Sequence, residues 1–160
     1  MQIFTVTDLL DLNARLELKN LVDKEILEAL DTRATKYQSF YFQNTKHTNC
    51  IPLQKLCKKV EEVANNLLNR PLSISRCWFV ICKEDSNFGF HHHASENMSV
   101  VYYLENCTNN GTIFELFHTK LQVLSEDNTA IFFNPSIMHS TPEWNGKDRY
   151  TIAFDLNFQN

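Results

Sequence analysis

Residues 99–117 have the sequence SVVYYLENCTNNGTIFELF, which is the clearest indication of fold class in this chain. Two runs rich in β-branched and aromatic residues, Ser99–Leu104 and Thr112–Phe117, flank a polar segment that ends in Asn110-Gly111. Such runs are typical of strands. Asn-Gly is a strong signal for a tight hairpin turn, because both positions of that turn tolerate positive φ. The stretch therefore predicts antiparallel sheet.

The same strand pattern continues on both sides of this stretch, but only after Pro71. Further strands are predicted at Leu72–Lys83, Leu121–Leu124, Thr129–Phe133 and Arg149–Phe158, with a second Asn-Gly turn at Asn145-Gly146. Before Pro71, apolar residues recur at helical spacing in two stripes: Leu18, Leu21, Val22, Ile26, Leu27 and Leu30, then Val60, Val63, Ala64 and Leu67. Pro52 is well placed to open the second helix.

The order of these elements, helices first and sheet afterwards, restricts the fold. It predicts an α+β domain, or a β-barrel or jelly roll braced by N-terminal helices. At 160 residues the chain has the length of one domain. We therefore expect a single domain with a helical bracing segment at residues 1–70 and a jelly-roll core at residues 71–160.

Charge and composition exclude several classes of partner. Fifteen basic residues against nineteen acidic ones give a net charge of −4, without the basic footprint of a nucleic-acid-binding protein. No apolar run reaches the ~20 residues that span a membrane, and the first residues lack the pattern of an export signal. We expect a cytoplasmic protein (in the host cytoplasm if it is viral) whose five cysteines are reduced and buried. Cys77 and Cys82 fall on opposite faces of one strand, so they cannot share a metal there.

Four histidines are candidates for metal binding. His91, His92 and His93 are consecutive and follow the strand that ends near Lys83, and His139 lies 46 residues after His93. Neutral imidazole is the commonest biological metal ligand near neutral pH. The alternative for the consecutive histidines is a solvated loop.

The last predicted strand adds a candidate anion site. Strand alternation places Arg149, Thr151 and Ala153 on one face, with Tyr150, Ile152 and Phe154 on the other. If the second set packs on the helices, Arg149 and Thr151 point into the barrel mouth near a metal held by His139. An inward arginine is costly to bury unless an anion meets it, and a carboxylate would do so. The alternative is a surface salt bridge from Arg149 to Asp148 or Asp155.

Taken in order, these motifs resemble the iron(II)/2-oxoglutarate-dependent oxygenases, and more narrowly a small group of bacterial and phage members. The resemblance spans residues 72–158 and rests on Trp78, His91-His92-His93, Ser99-Val100-Val101-Tyr102-Tyr103-Leu104, Gly111-Thr112-Ile113-Phe114, Phe133-Asn134-Pro135-Ser136, His139 and Arg149-Tyr150-Thr151-Ile152-Ala153-Phe154. It implies a double-stranded β-helix, which is a jelly-roll barrel of the cupin type.

The resemblance also implies the cofactors and the site residues. Family members bind Fe(II) and 2-oxoglutarate and use dioxygen to hydroxylate a C–H bond, with release of succinate and carbon dioxide. Carried over by position, His91, His93 and His139 would hold Fe(II), and Arg149 with Thr151 would anchor the far carboxylate of 2-oxoglutarate. Tyr103 rather than Tyr102 would reach the cosubstrate.

The chain departs from the family at the metal ligands. The usual motif is His-x-Asp or His-x-Glu, and His93 here occupies the carboxylate position, which gives an all-histidine triad. Glu96 is the spare candidate for a carboxylate ligand. A register shifted by one would instead give His92-x-Ala94 and a vacant position. Otherwise we expect His92 to be a loop residue or a hydrogen-bond donor near the ligands, and His47 and His118 to be structural or at the surface.

Three functional hypotheses follow. The first is a 2-oxoglutarate-dependent dioxygenase that hydroxylates a peptide side chain or a small amino-acid-like substrate. The second is a cupin-like metal dioxygenase without 2-oxoglutarate, which the three histidines favour and Arg149 with Thr151 disfavours. The third is a non-enzymatic jelly-roll binding or virion-associated module, since one fold hosts many functions.

Overall fold

The computed structural model describes residues 2–29, 37–41, 50–83, 88–93, 96–144 and 146–159. Within these ranges the elements are β1 (Ile3–Thr7), α1 (Leu12–Ala29), β2 (Tyr37–Tyr41), α2 (Ile51–Leu68), β3 (Leu72–Cys82), β4 (Met98–Glu105), β5 (Thr112–Leu116), β6 (Thr119–Val123), β7 (Thr129–Phe133), β8 (Met138–Ser140) and β9 (Arg149–Phe158). Neither helix in these ranges combines the length and the apolar character that crossing a bilayer requires.

The described strands form two antiparallel sheets. The larger sheet has the order β1-β7-β4-β9-β3-β2, and the smaller sheet has the order β6-β5-β8. Each strand predicted after Pro71 is present. The ends of four of these strands differ from the prediction by at most two residues, and the other two have the predicted bounds, Thr129–Phe133 and Arg149–Phe158. The sequence did not predict β1, β2 or β8, and the first two add strands from the N-terminal segment to the larger sheet.

The prediction that Asn110-Gly111 forms a hairpin turn is wrong. The strands on either side, β4 and β5, lie in different sheets, so this pair makes the crossover between them. Gly111 does have a positive φ of 91°, and a Cβ there would lie 1.9 Å from the carbonyl oxygen of Val123. The observed two-residue hairpin turn joins β5 to β6 through Phe117 and His118, which both have positive φ. In the second predicted turn, Asn145 lies outside the described residues.

Both helices contribute to a core on one face of the larger sheet. Pro52 is in the first turn of α2, as predicted. Leu18, Val22, Val60 and Ala64 are buried against the sheet residues of this core. Burying a leucine or valine side chain contributes about 1.5–3 kcal/mol, so the apolar stripes attach the helices to the sheet. In the first stripe, Leu30 and the side chains of Ile26 and Leu27 lie outside the described residues.

The other face of the larger sheet turns toward the smaller sheet. A second apolar cluster forms there, with Phe114 from β5 packed edge-on to Phe133 from β7 at 5.0 Å between ring centroids. The five cysteines are free, and four are buried; the prediction of burial is wrong for Cys50, which is half-buried at the start of α2. Cys77 belongs to the core on the helix side, whereas Cys82 contacts Arg149 on the opposite face, as the alternation predicted. The space between the two sheets holds the candidate site.

Candidate metal and anion site

A cavity of about 440 Å³ opens between the two sheets. Its walls include apolar side chains from the larger sheet, among them Val80, Val101, Phe133 and Ala153. Its polar lining includes the following candidates from the sequence: His91, His92, His93, His139, Arg149, Thr151 and Tyr103. The fold therefore brings residues from separate motifs to one mostly apolar chamber.

Three of the histidines converge. His91 and His139, in β8, pair through their backbones, with N–O distances of 3.0 and 2.9 Å in the two directions. The ring centroids of His91 and His139 are 4.3 Å apart, and His93 lies 5.2 and 5.3 Å from these two rings. One ligand nitrogen from each of the three rings lies within 4.8 Å of the others. This spacing suits a single metal ion.

Hydrogen bonds fix the orientation of all three rings. In each ring Nδ1 meets an oxygen: His91 meets Gly89 O at 2.9 Å, His139 meets Ile137 O at 2.9 Å, and His93 meets Asp155 Oδ1 at 2.7 Å. Carbonyl and carboxylate oxygens only accept, so Nδ1 donates and Nε2 keeps its lone pair. Metal-ligating histidines almost always have such a partner on the other nitrogen, so the donor set fits a metal.

The electrostatics of the site keep two of the rings neutral. Burial lowers the pKa of His139 to about 4, and the neighbouring His91 and His93 lower it further. Burial also lowers the pKa of His91. Near neutral pH both rings are uncharged, which is the form that coordinates metals. Burial would raise the pKa of Asp155, but hydrogen bonds from His93 and Ser99 and the charge of Arg76 outweigh it, so the pKa is lowered and Asp155 is ionised.

Arg149 lines the same cavity and is 1% exposed. Its Nη1 donates to Asn110 Oδ1 and its Nη2 contacts Cys82 Sγ at 3.3 Å, while Nε has no hydrogen-bond partner. The predicted alternation is confirmed, because Arg149, Thr151 and Ala153 line the cavity while Ile152 packs in the helix-side core.

The surface salt bridge considered for Arg149 is wrong. Asp148 pairs instead with Lys83 at 3.1 Å, and Asp155 pairs with Arg76 at 2.7 Å. Among the described residues no carboxylate neutralises Arg149. A buried cation of this kind is costly without an anion, and its Nε lacks a hydrogen-bond partner among the described residues.

Thr151 and Tyr103 are buried beside Arg149 in the cavity lining. Thr151 Oγ1 donates to Val80 O at 3.3 Å, and the Tyr103 hydroxyl is 2.5 Å from Thr112 Oγ1. Burial raises the pKa of Tyr103 well above its usual value, so its phenol stays neutral. Tyr102 faces the helix-side core instead, as the alternation predicted.

The remaining candidates lie outside the histidine group. Glu96 accepts from Ser75 and pairs with Arg76 at 3.1 Å, so it does not join the three histidines. His92 is exposed, and His118 is exposed in the β5–β6 turn. The alternative motif His92-x-Ala94 includes Ala94, which lies outside the described residues. His47, predicted to be structural or at the surface, also lies outside them.

The sequence also singles out Gly89, two residues before His91, as the point where the loop aims this ligand, and the Gly89 carbonyl does hold the His91 ring. Sequence reasoning missed two other residues that shape the site: Asp155 holds His93, and Asn110 holds Arg149. Continuing the alternation of β9 from Arg149 by six residues would have placed Asp155 on the inward face. No local pattern indicates the contact of Asn110.

No family model matches this chain, and no curated protein matches it. Solved structures do. One is a Pseudomonas putida prolyl-4-hydroxylase, at 11% identity and a TM-score of 0.76, covering 99% of this chain and 93% of that one. Another is HygX from Streptomyces hygroscopicus with nickel and 2-oxoglutarate bound, at 12% identity and a TM-score of 0.75, covering 98% and 83%.

A third similar structure is an oxidoreductase of the 2OG-Fe(II) oxygenase family from Burkholderia pseudomallei. It is 13% identical with a TM-score of 0.67, and the match covers 99% of this chain and 85% of that one. At this low sequence identity, the structural similarity shows a shared fold. The chain has the double-stranded β-helix of the 2-oxoglutarate oxygenases, and the predicted fold class, a jelly-roll barrel braced by helices, is confirmed.

Proposed function

We propose that this protein is an Fe(II)- and 2-oxoglutarate-dependent dioxygenase, of the bacterial and phage group that its motifs resemble. The observation that carries the proposal is one cavity with two complementary features. Three imidazoles each place one possible ligand nitrogen within 4.8 Å of the others, and a buried arginine in the same cavity has no carboxylate partner among the described residues. A metal and an anionic ligand would complete both features.

His91, His93 and His139 would hold Fe(II). Three nitrogen donors from one side would leave coordination positions for other ligands, as in other non-haem iron sites. The same donors suit nickel, and HygX, which shares the fold, has been solved with nickel and with iron. Glu96 is not needed as a ligand, because Arg76 and Ser75 hold its carboxylate.

Arg149 would bind the far carboxylate of 2-oxoglutarate. A guanidinium forms charge-assisted bonds with carboxylates that are about twice as strong as neutral hydrogen bonds. Thr151 and Tyr103 would each add a hydroxyl hydrogen bond, and the neutral phenol of Tyr103 avoids repulsion between two anions. With metal and cosubstrate bound, the site would supply oxidative decarboxylation of 2-oxoglutarate by dioxygen, giving succinate, carbon dioxide and one hydroxylated C–H bond in the substrate.

The apolar walls of the cavity would exclude water from the oxidation, which protects reactive chemistry from side reactions. A peptide side chain or a small amino-acid-like molecule is the proposed substrate class, supported by the shared fold of a prolyl-4-hydroxylase. We also propose a single domain over residues 1–160, with 1–70 bracing the core. A cytoplasmic location is supported by five free thiols, which suit a reducing compartment.

The test is turnover without a second substrate. The purified protein is loaded with Fe(II) without oxygen, given 2-oxoglutarate, and then exposed to dioxygen while succinate and oxygen consumption are measured. We expect succinate to form and a His139→Ala variant to form none. His118→Ala is the matched control, because His118 lies in a surface turn, and it should behave like wild type. No succinate from an iron-loaded wild-type protein would refute the proposal.

The all-histidine donor set favours one further candidate, a cupin-like dioxygenase without 2-oxoglutarate. Arg149 would then bind an acidic group of the substrate itself. The same experiment separates the two, because the cupin-like enzyme would bind Fe(II) yet show no 2-oxoglutarate binding and no succinate.

A further inference from the structure

We propose that Asp155 is a positioning residue of the metal site, and that its negative charge, acting through His93, raises the affinity of the site for a divalent cation. The inference rests on the metal site proposed above. It concerns a residue outside the group of three histidines, and it explains why a fully buried carboxylate lies behind one of these three histidines.

The contacts of Asp155 direct it toward His93. Its side chain is fully buried, and Oδ1 accepts from His93 Nδ1 and from Ser99 Oγ, both at 2.7 Å. Among the residues that the structure describes, the other two metal-site histidines meet backbone carbonyl oxygens through Nδ1. His93 is therefore the one histidine of the three whose partner carries a charge. A carboxylate in this position orients the imidazole and raises its basicity toward a metal.

The cation that meets Asp155 offsets its charge only in part. Asp155 Oδ2 meets Arg76 Nη2 at 2.7 Å, and Arg76 also meets Glu96 Oε1 at 3.1 Å, so Arg76 divides its charge between two carboxylates. The Arg76 side chain is 43% exposed, whereas that of Asp155 is fully buried. Water therefore screens the arginine more than the carboxylate, and Asp155 keeps negative charge toward the buried His93 side.

The experiment measures Ni(II) affinity without 2-oxoglutarate, by competition with a chromophoric chelator. Asp155→Asn keeps the shape and an oxygen acceptor but removes the charge. We expect it to weaken Ni(II) binding by about 10- to 100-fold, the usual effect of losing such a partner. Glu96→Gln is the matched control, because it removes an equal charge beyond Arg76, and it should change the affinity by less than about threefold.

A second variant should change Ni(II) affinity in the opposite direction or leave it unchanged. Arg76→Gln removes the cation that competes with His93 for Asp155, so we expect Ni(II) affinity at or above wild type. A network that served only to hold the fold would instead lose affinity in both variants. Thermal unfolding of each metal-free variant shows whether it folds. If Asp155→Asn does not fold, the Ni(II) affinity of Arg76→Gln still tests whether the charge of Asp155 acts through His93.

Three results would overturn the inference: wild-type affinity in a folded Asp155→Asn variant, an equal loss in Glu96→Gln, or a loss in Arg76→Gln. His139→Ala provides the separate check on the site itself. If that variant binds Ni(II) as wild type does, the proposed metal site fails. If it loses Ni(II) while Asp155→Asn keeps it, only the role of Asp155 fails.

Discussion

Replacing Arg149 with methionine removes the proposed carboxylate anchor while keeping most of its volume. Truncating one partner of a buried, hydrogen-bonded charge pair costs about 2–5 kcal/mol. Because each 1.4 kcal/mol or so is a factor of ten, the Kd for 2-oxoglutarate should rise by about 30-fold to about 4,000-fold. The affinity for the metal alone should stay near wild type, since Arg149 contacts Asn110 and Cys82 rather than the histidines.

The free energy of unfolding of the ligand-free protein gives a second measurement, and here we expect only a small change. The substitution removes a buried guanidinium whose Nε is unpaired, which relieves several kcal/mol of desolvation cost. It also leaves Asn110 Oδ1 without its donor, which costs about 1–3 kcal/mol. These effects oppose each other, so we expect the free energy of unfolding to change by less than about 2 kcal/mol.

Calorimetric titration of 2-oxoglutarate into the Fe(II)-loaded protein without oxygen measures the first effect, and urea unfolding measures the second. Arg15→Met is the control, because Arg15 lies away from the cavity, meets Asp127 at 3.5 Å and donates to Leu104 O at 3.0 Å. It should leave 2-oxoglutarate binding unchanged. The reasoning would be refuted by wild-type affinity in Arg149→Met, or by an unfolding loss well beyond 3 kcal/mol, the sign of a structural ion pair.

Three further predictions follow from the structure. His139→Ala should lose tight stoichiometric Fe(II), measured by metal analysis, while His118→Ala should retain it; iron kept by the first variant would contradict the ligand assignment. Gly111→Ala should lower the free energy of unfolding by more than about 1 kcal/mol, because its φ is positive and a Cβ would meet backbone. Gly89→Ala should be tolerated, since nothing lies within 4 Å of a Cβ there. If Gly111→Ala and Gly89→Ala have equal urea midpoints, the predicted difference between the two glycines is refuted. Leu56→Ala should cost about 2–5 kcal/mol in urea unfolding, because Leu56 is fully buried between helix and sheet, and a loss below 1 kcal/mol would contradict that placement.

The features that the sequence predicted correctly are set within short segments. The two faces of β9 follow from the period of a single strand, so Arg149 and Thr151 could be placed in the cavity from the sequence alone. His91 and His93 are likewise two residues apart, and a short turn suffices to bring both to one site. Each of these predictions required only local geometry and the identity of neighbouring residues.

The features that were missed depend on pairing between distant segments. Ile3–Thr7 is a strand because it pairs with β7, more than 120 residues later in the chain. The Asn110-Gly111 signal indicated positive φ correctly at Gly111, but the preference for that conformation does not specify which strands it joins. The actual hairpin turn uses Phe117 and His118. Positive φ is unusual for a bulky residue such as Phe117, and it occurs here because the pairing of β5 with β6 requires it.

Strand β9 shows why the site as a whole could not be derived locally. It carries Arg149 near its start and Asp155 near its end, six residues or about 20 Å apart on one inward face. Both charges are buried, and they do not pair with each other. Under the proposed function, Arg149 would bind an anion and Asp155 would support a metal cation, so the strand would carry opposite charges toward the two ends of the site. A ligand that is an anion at one end and a metal chelator at the other would be held in one direction. The register of β9 against β3 and β4 sets the spacing between these two ends, and no local motif encodes that register.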